Sequence, residues 1–149
     1  MFQKIKLFIT LSVVAMATAC SILPSSKGNA KDLLDRAIVS QNQQHYAVAL
    51  TQFQAADAAG HAQAPRYIGL IYLNELGVKK NPHLAFQQFQ RAANQGDETA
   101  QYWLAYCYEN GVGTAADLAL AKQWYAKAVG SDESVSKLAI EALKRLKAI

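Results

Sequence analysis

Gly111-Val112-Gly113 lies just ahead of a stretch with helical spacing, and glycine-rich turns at helix starts can cradle phosphate with backbone N–H groups. A phosphate loop also needs a preceding strand and a Lys-Ser or Lys-Thr pair after the glycines; this sequence has neither. Cys107 falls between Trp103 and Tyr108 on a helical pattern, which predicts a buried, inert thiol. A nucleophilic cysteine needs an exposed, electropositive site. His45, His61 and His83 are scattered and form no spaced metal set with carboxylates or the thiol. No Gly-x-Ser-x-Gly, His-Glu-x-x-His or Ser-x-x-Lys motif occurs. Asp132 and Glu133 sit near a helix start, where their charge complements the backbone dipole. These residues predict no catalytic centre, no metal and no cofactor.

The remaining cysteine, Cys20, ends a different kind of segment. Lys4 and Lys6 precede an apolar run from Leu7 to about Ala17, followed by small residues. This is the order of a secretory signal, and the run is short for a bilayer span. Its end, Ala17-Thr18-Ala19-Cys20, resembles the lipobox of bacterial lipoproteins, with alanine at position 17 where leucine is usual. The resemblance implies a lipidated Cys20 as the first mature residue, the bilayer as one partner, and export. Ser21 after the cysteine implies the periplasmic face of the outer membrane rather than the inner membrane. The alternative is a plain signal cut at or near Cys20, which also exports the chain. One acyl chain binds membranes marginally, whereas several hold a protein stably. Residues 21–31 then read as a tether reaching at most ~36 Å.

What positions the body is a repeat. The chain has 149 residues, room for one small domain, with a 52% hydrophobic fraction and a formal charge of +4. Two of its fifteen basic residues are Lys4 and Lys6, so the body is too nearly neutral to argue for nucleic acid. Residues 67–96 and 103–132 align at a constant offset of 36. Tyr67 falls on Trp103, Gly69 on Ala105, Tyr72 on Tyr108, Gly77 on Gly113, Asn81 on Asp117, Phe89 on Tyr125 and Ala92 on Ala128. Ala49, Phe53, Ala56 and Gly60 carry the register back once more. Asn81 and Asp117 predict N-caps, with Pro82 at a first helical position. Asp97 predicts the start of another helix. Gly77 and Gly113 predict equivalent helix-closing turns. Leu138, Ala142, Leu146 and Ile149 mark the apolar face of a terminal helix that caps the stack.

The pattern "IGLIY", "ELGV", "AFQQFQRAANQG" and again "LAYCY", "GVGTAAD", "AKQWYAKAV" resembles the Sel1-like repeat, a relative of the tetratricopeptide repeat. Glu75 and Ala105 depart from it, each standing where a glycine is usual. The resemblance implies an all-α fold: a short right-handed α-solenoid of antiparallel helix pairs with a C-terminal capping helix. The boundaries follow as a signal at 1–19, lipidated Cys20 and tether at 20–31, and a tetratricopeptide-like pair at 32–60. Sel1-like units then span 61–96 and 97–132, with the cap at 133–149.

In such stacks the first helix of each unit lines a peptide groove. Carried onto this chain, those positions are Arg66, Leu70, Leu73 and Asn74, then Tyr102, Tyr106, Glu109 and Asn110. The alternative is that these are ordinary packing or solvent-facing residues. The implied function is a non-enzymatic, membrane-anchored adaptor of the cell envelope, with an unidentified envelope protein or peptide as partner. Two rivals are a purely structural lipoprotein subunit and a penicillin-interacting or β-lactamase-like protein. Cysteine-rich Sel1-type proteins linked to the latter activity carry a cysteine pair in each unit, and this sequence has none.

Overall fold

The protein is described by a computed structural model over residues 29–147. Among these residues the chain forms seven helices and no strand. They are α1 (Ala30–Asn42), α2 (Tyr46–Ala58), α3 (Ala64–Leu73), α4 (Pro82–Asn94), α5 (Glu98–Asn110), α6 (Leu118–Lys127) and α7 (Glu133–Lys147). The pairs α1–α2, α3–α4 and α5–α6 stack through α2–α3 and α4–α5, and α7 closes on α6 and α5. This is a short helical-repeat solenoid. None of these helices is long and apolar enough to cross a membrane.

The predicted caps form. The side chains of Asn81, Asp97 and Asp117 accept from the N–H groups of Leu84 (3.0 Å), Ala100 (2.6 Å) and Leu120 (2.9 Å). Each satisfies one of the donors left open at a helix start. Asn29 does the same for Lys31, so α1 opens at Ala30, inside the stretch expected to be tether.

The buried apolar residues gather into three clusters: the first from α1, α2 and α3, the second from α4 and α5, and the third from α5, α6 and α7. Tyr72 packs against the first and second clusters, and Tyr108, its equivalent one unit later, against the second and third. Aromatic stacking repeats in the same register. Phe53 stacks on Tyr67 at 4.8 Å and Phe89 on Trp103 at 6.0 Å, each joining one unit's second helix to the next unit's first. Arg91 adds a two-pronged contact from α4 to Asp57 on α2, at 2.8 and 3.0 Å.

Two expectations are corrected. The capping helix buries Val135, Ala139, Ala142 and Leu146, while Leu138 is 48% exposed; Ile149 lies outside the described residues. Alanines occupy the inner stripe because the bulk there comes from the facing Tyr125, which is fully buried. The closing residue after α3 is Glu75, not Gly77. Glu75 holds the left-handed conformation (φ 57°) that Gly111 (φ 66°) holds after α5.

Candidate functional site

The turns after α3 and α5 share one backbone scaffold. Leu76 N–H donates to the Ile71 carbonyl (3.0 Å) and Asn81 N–H to the Tyr72 carbonyl (3.0 Å). One unit later, Val112 donates to Cys107 (2.9 Å) and Asp117 to Tyr108 (2.8 Å). Each turn leans on the second helix of the preceding unit. Gly113 lies so close to the α4 start that a Cβ there would collide with the Pro82 carbonyl. At Gly77 a Cβ would come within 2.8 Å of the Tyr46 Cβ, at the α2 start. The glycines therefore serve the stacking of units as well as the turn.

Beside the second turn lies a cleft of about 490 Å³. Leu73 and Asn74 supply one wall from the end of α3, Trp103 and Tyr106 the facing wall from α5. Lys80, Pro82 and the Gly111–Val112–Gly113 backbone complete it. Trp103 is held by the Phe89 stack and by edge contacts with Tyr102 (5.8 Å) and Tyr106 (5.6 Å). The lining is thus mixed: Leu73, Pro82, Trp103 and Val112 are apolar, while Asn74, Tyr106, Lys80 and the turn backbone bring polar groups.

Of the eight residues expected to form a groove, Leu73, Asn74 and Tyr106 line this cleft. The others lie elsewhere. Leu70 packs against the second cluster. Arg66 turns inward, its Nε 3.5 Å from Asp97 and its guanidinium 4.5 Å over the Tyr67 ring. Burial pushes the Asp97 carboxyl above the usual range, although Arg66 and the Ala100 N–H pull it down. Tyr102 packs beside Tyr125 at 5.4 Å. Glu109 accepts from the Tyr125 hydroxyl (2.7 Å) and pairs with Arg145 of α7 (2.7 Å). Burial, then the hydrogen bond to Glu109, raises the Tyr125 hydroxyl well above its ordinary value. Asn110 donates to its own helix, to the Tyr106 carbonyl at 3.0 Å. Cys20 lies outside the described residues.

Sequence reasoning overlooked Trp103, Lys80, Pro82 and Val112 as lining. One signal was available: Lys79-Lys80 stand where the next unit has Ala115-Ala116. Cys107 is fully buried and free, and desolvation pushes its thiol up to about 12, far from a thiolate at neutral pH. Among the described residues no three His, Cys, Asp or Glu side chains are grouped to hold a metal ion.

The geometry of two turn-linked pairs, offset by 36 residues, has a counterpart among known repeats. Residues 62–97 and 99–129 each match the Sel1 repeat. Each unit is thus similar to the Sel1 repeat. Such repeats generally mediate contacts between proteins. The chain is 30% identical to a Sel1 repeat protein from Oxalobacter formigenes, with a TM-score of 0.69 over 76% of this chain and 46% of that one. A protective antigen of uropathogenic Escherichia coli strains displaying an SLR fold is 23% identical, with a TM-score of 0.71. That match covers 79% of this chain and 26% of the antigen. Cysteine-rich protein B of Helicobacter pylori is 18% identical with a TM-score of 0.56, covering 77% of this chain and 98% of that one. The last two likenesses concern the fold alone. The chain spans about half of the first of these structures and about a quarter of the second. No curated protein sequence matches it.

Proposed function

We propose that the chain is a non-enzymatic adaptor of the bacterial envelope, anchored through lipidated Cys20, whose Sel1 cleft grips a protein partner. The observation that carries the binding half is the cleft itself. Its walls come from two consecutive Sel1 units, and its lining joins the apolar and aromatic Leu73, Trp103 and Val112 to the polar Asn74, Lys80 and Tyr106. Such a surface buries a side chain while hydrogen-bonding the segment around it. The order of residues 4–20 supports the anchor, and confinement at a membrane raises the effective concentration of partners there.

A photoreactive amino acid at position 106 of the full-length chain, in its own cells, tests the cleft. It should capture a protein, whereas the same group at exposed Glu141 should not; equal adducts at both positions would refute the reading. Arg66 and Tyr102 do not suit this test, because their side chains are engaged in packing. Labelling with a clickable palmitate analogue tests the anchor: label retained after Cys20→Ser would exclude lipidation there.

A further inference from the structure

The cleft contains one charged group, Lys80, and no carboxylate among its lining residues. Lys79 beside it is also exposed. Ion pairs among the described residues are Lys31–Asp35, Arg66–Asp97, Arg91–Asp57 and Arg145–Glu109, and neither lysine takes part. Nor does either pair with Glu75 of the same turn. The fold does not call for this charge. In the next unit the same backbone bonds close a turn that carries Ala115 and Ala116 at the equivalent positions. Two adjacent cations thus depart from the repeat at a turn that contributes Lys80 to the cleft.

Resting on the protein-binding reading above, we propose that the cleft selects peptide segments in which an aromatic side chain is followed directly by an acidic one. The ring fills the space between Leu73, Trp103, Tyr106 and Val112, and the neighbouring carboxylate meets the Lys80 ammonium, with Lys79 reinforcing it. A carboxylate beside an ammonium forms a charge-assisted hydrogen bond, stronger than a neutral one. At an exposed rim that gain is modest and salt-sensitive. The apolar and aromatic side chains of the lining therefore supply most of the affinity, and the lysines the preference.

The test uses the full chain in neutral detergent and end-blocked hexapeptides bearing an uncharged fluorophore, read by anisotropy. The probes are Gly-Ser-Phe-Asp-Ser-Gly, the same peptide with Asn in place of Asp, and the same with Ala in place of Phe. Chitotriose serves as an unlabelled competitor. The Phe-Asp peptide should bind tightest, with the Asn version about fivefold weaker at low salt. The Ala version should be weaker still. Lys79→Ala/Lys80→Ala, which copies the turn of the next unit, should bring Phe-Asp binding down to the Asn level. Adding ~0.5 M NaCl should remove the same difference.

Equal binding of the Asp and Asn peptides overturns the inference, as does discrimination that survives the double substitution. If both bind equally and Tyr106→Ala weakens both, the protein-binding cleft stands while the acidic preference falls. If no peptide binds, or chitotriose displaces the tracer better than unlabelled peptide, the inference is overturned. Capture of a protein from position 106 would then still uphold the parent reading.

Discussion

α4 with its neighbours and α6 with its neighbours are the same construction 36 residues apart, yet they solve one packing problem in opposite ways. In the first Sel1 unit Phe89 is fully buried, stacks on Trp103, and approaches Gly69 so closely that a Cβ there would lie 2.7 Å from the ring. In the second, Tyr125 is equally buried, but Ala105 replaces the glycine and no later aromatic stacks above it. Its hydroxyl instead reaches Glu109, which takes the place of Leu73 and is held in turn by Arg145. A unit with a following unit can close its core by stacking rings. The last unit closes it with a polar bridge to the cap, because α7 has Ala139 at the position of Trp103 and brings Arg145 to Glu109 instead.

The sharpest way to break this comparison is at the turn glycines. Gly113→Ala places a methyl against the Pro82 carbonyl at a positive φ, and should cost ~3 kcal/mol in urea unfolding. Gly77→Ala meets the Tyr46 side chain rather than a carbonyl and should cost less, ~1–2 kcal/mol. The reverse ranking would show that the turns do not bear on the preceding helix starts as described.

Exchanging the rings probes the bridge. Phe89→Tyr buries a hydroxyl where Leu73 offers no acceptor and should lose ~2 kcal/mol. Tyr125→Phe removes one hydrogen bond while Glu109 keeps Arg145, and should lose only ~1 kcal/mol. No loss from Tyr125→Phe, by chemical denaturation, would mean that the bond to Glu109 contributes nothing at that site.

The smallest effect concerns Glu75. With φ at 57° it occupies a conformation that glycine adopts without strain, so Glu75→Gly should gain about 0.5 kcal/mol. Gly111→Glu, the mirror change, should lose about 1 kcal/mol. A stabilised Gly111→Glu variant in a thermal melt would contradict the equivalence of the two turns.

The repeat and the helix starts could be read directly, because caps and a 36-residue echo are local signals; Asn81, Asp97 and Asp117 act as their residue types predict. The groove was less readable. Transferring positions from unit to unit assumes that each has the same neighbours, and here they differ. Arg66 finds Asp97, whereas its equivalent Tyr102 finds Tyr125; Glu109 finds Arg145 because α7 is not a third repeat. The register of α7 failed for a related reason. Leucine marked Leu138 as inward, but a stripe of alanines is what a neighbour as large as Tyr125 admits. Cys107 was legible because aromatic neighbours at helical spacing leave a thiol nowhere to go but inside.

The walls of the cleft belong to two units, joined across a seam where Tyr72 and Tyr108 each touch two clusters. Its width is therefore set by the angle between neighbouring pairs and not by the shape of either. A segment bound there, as proposed, would act as a splint across that joint. Stiffening the stack and holding such a partner would then be one mechanical event, and tension drawn along the solenoid would loosen the grip by prising the joint apart.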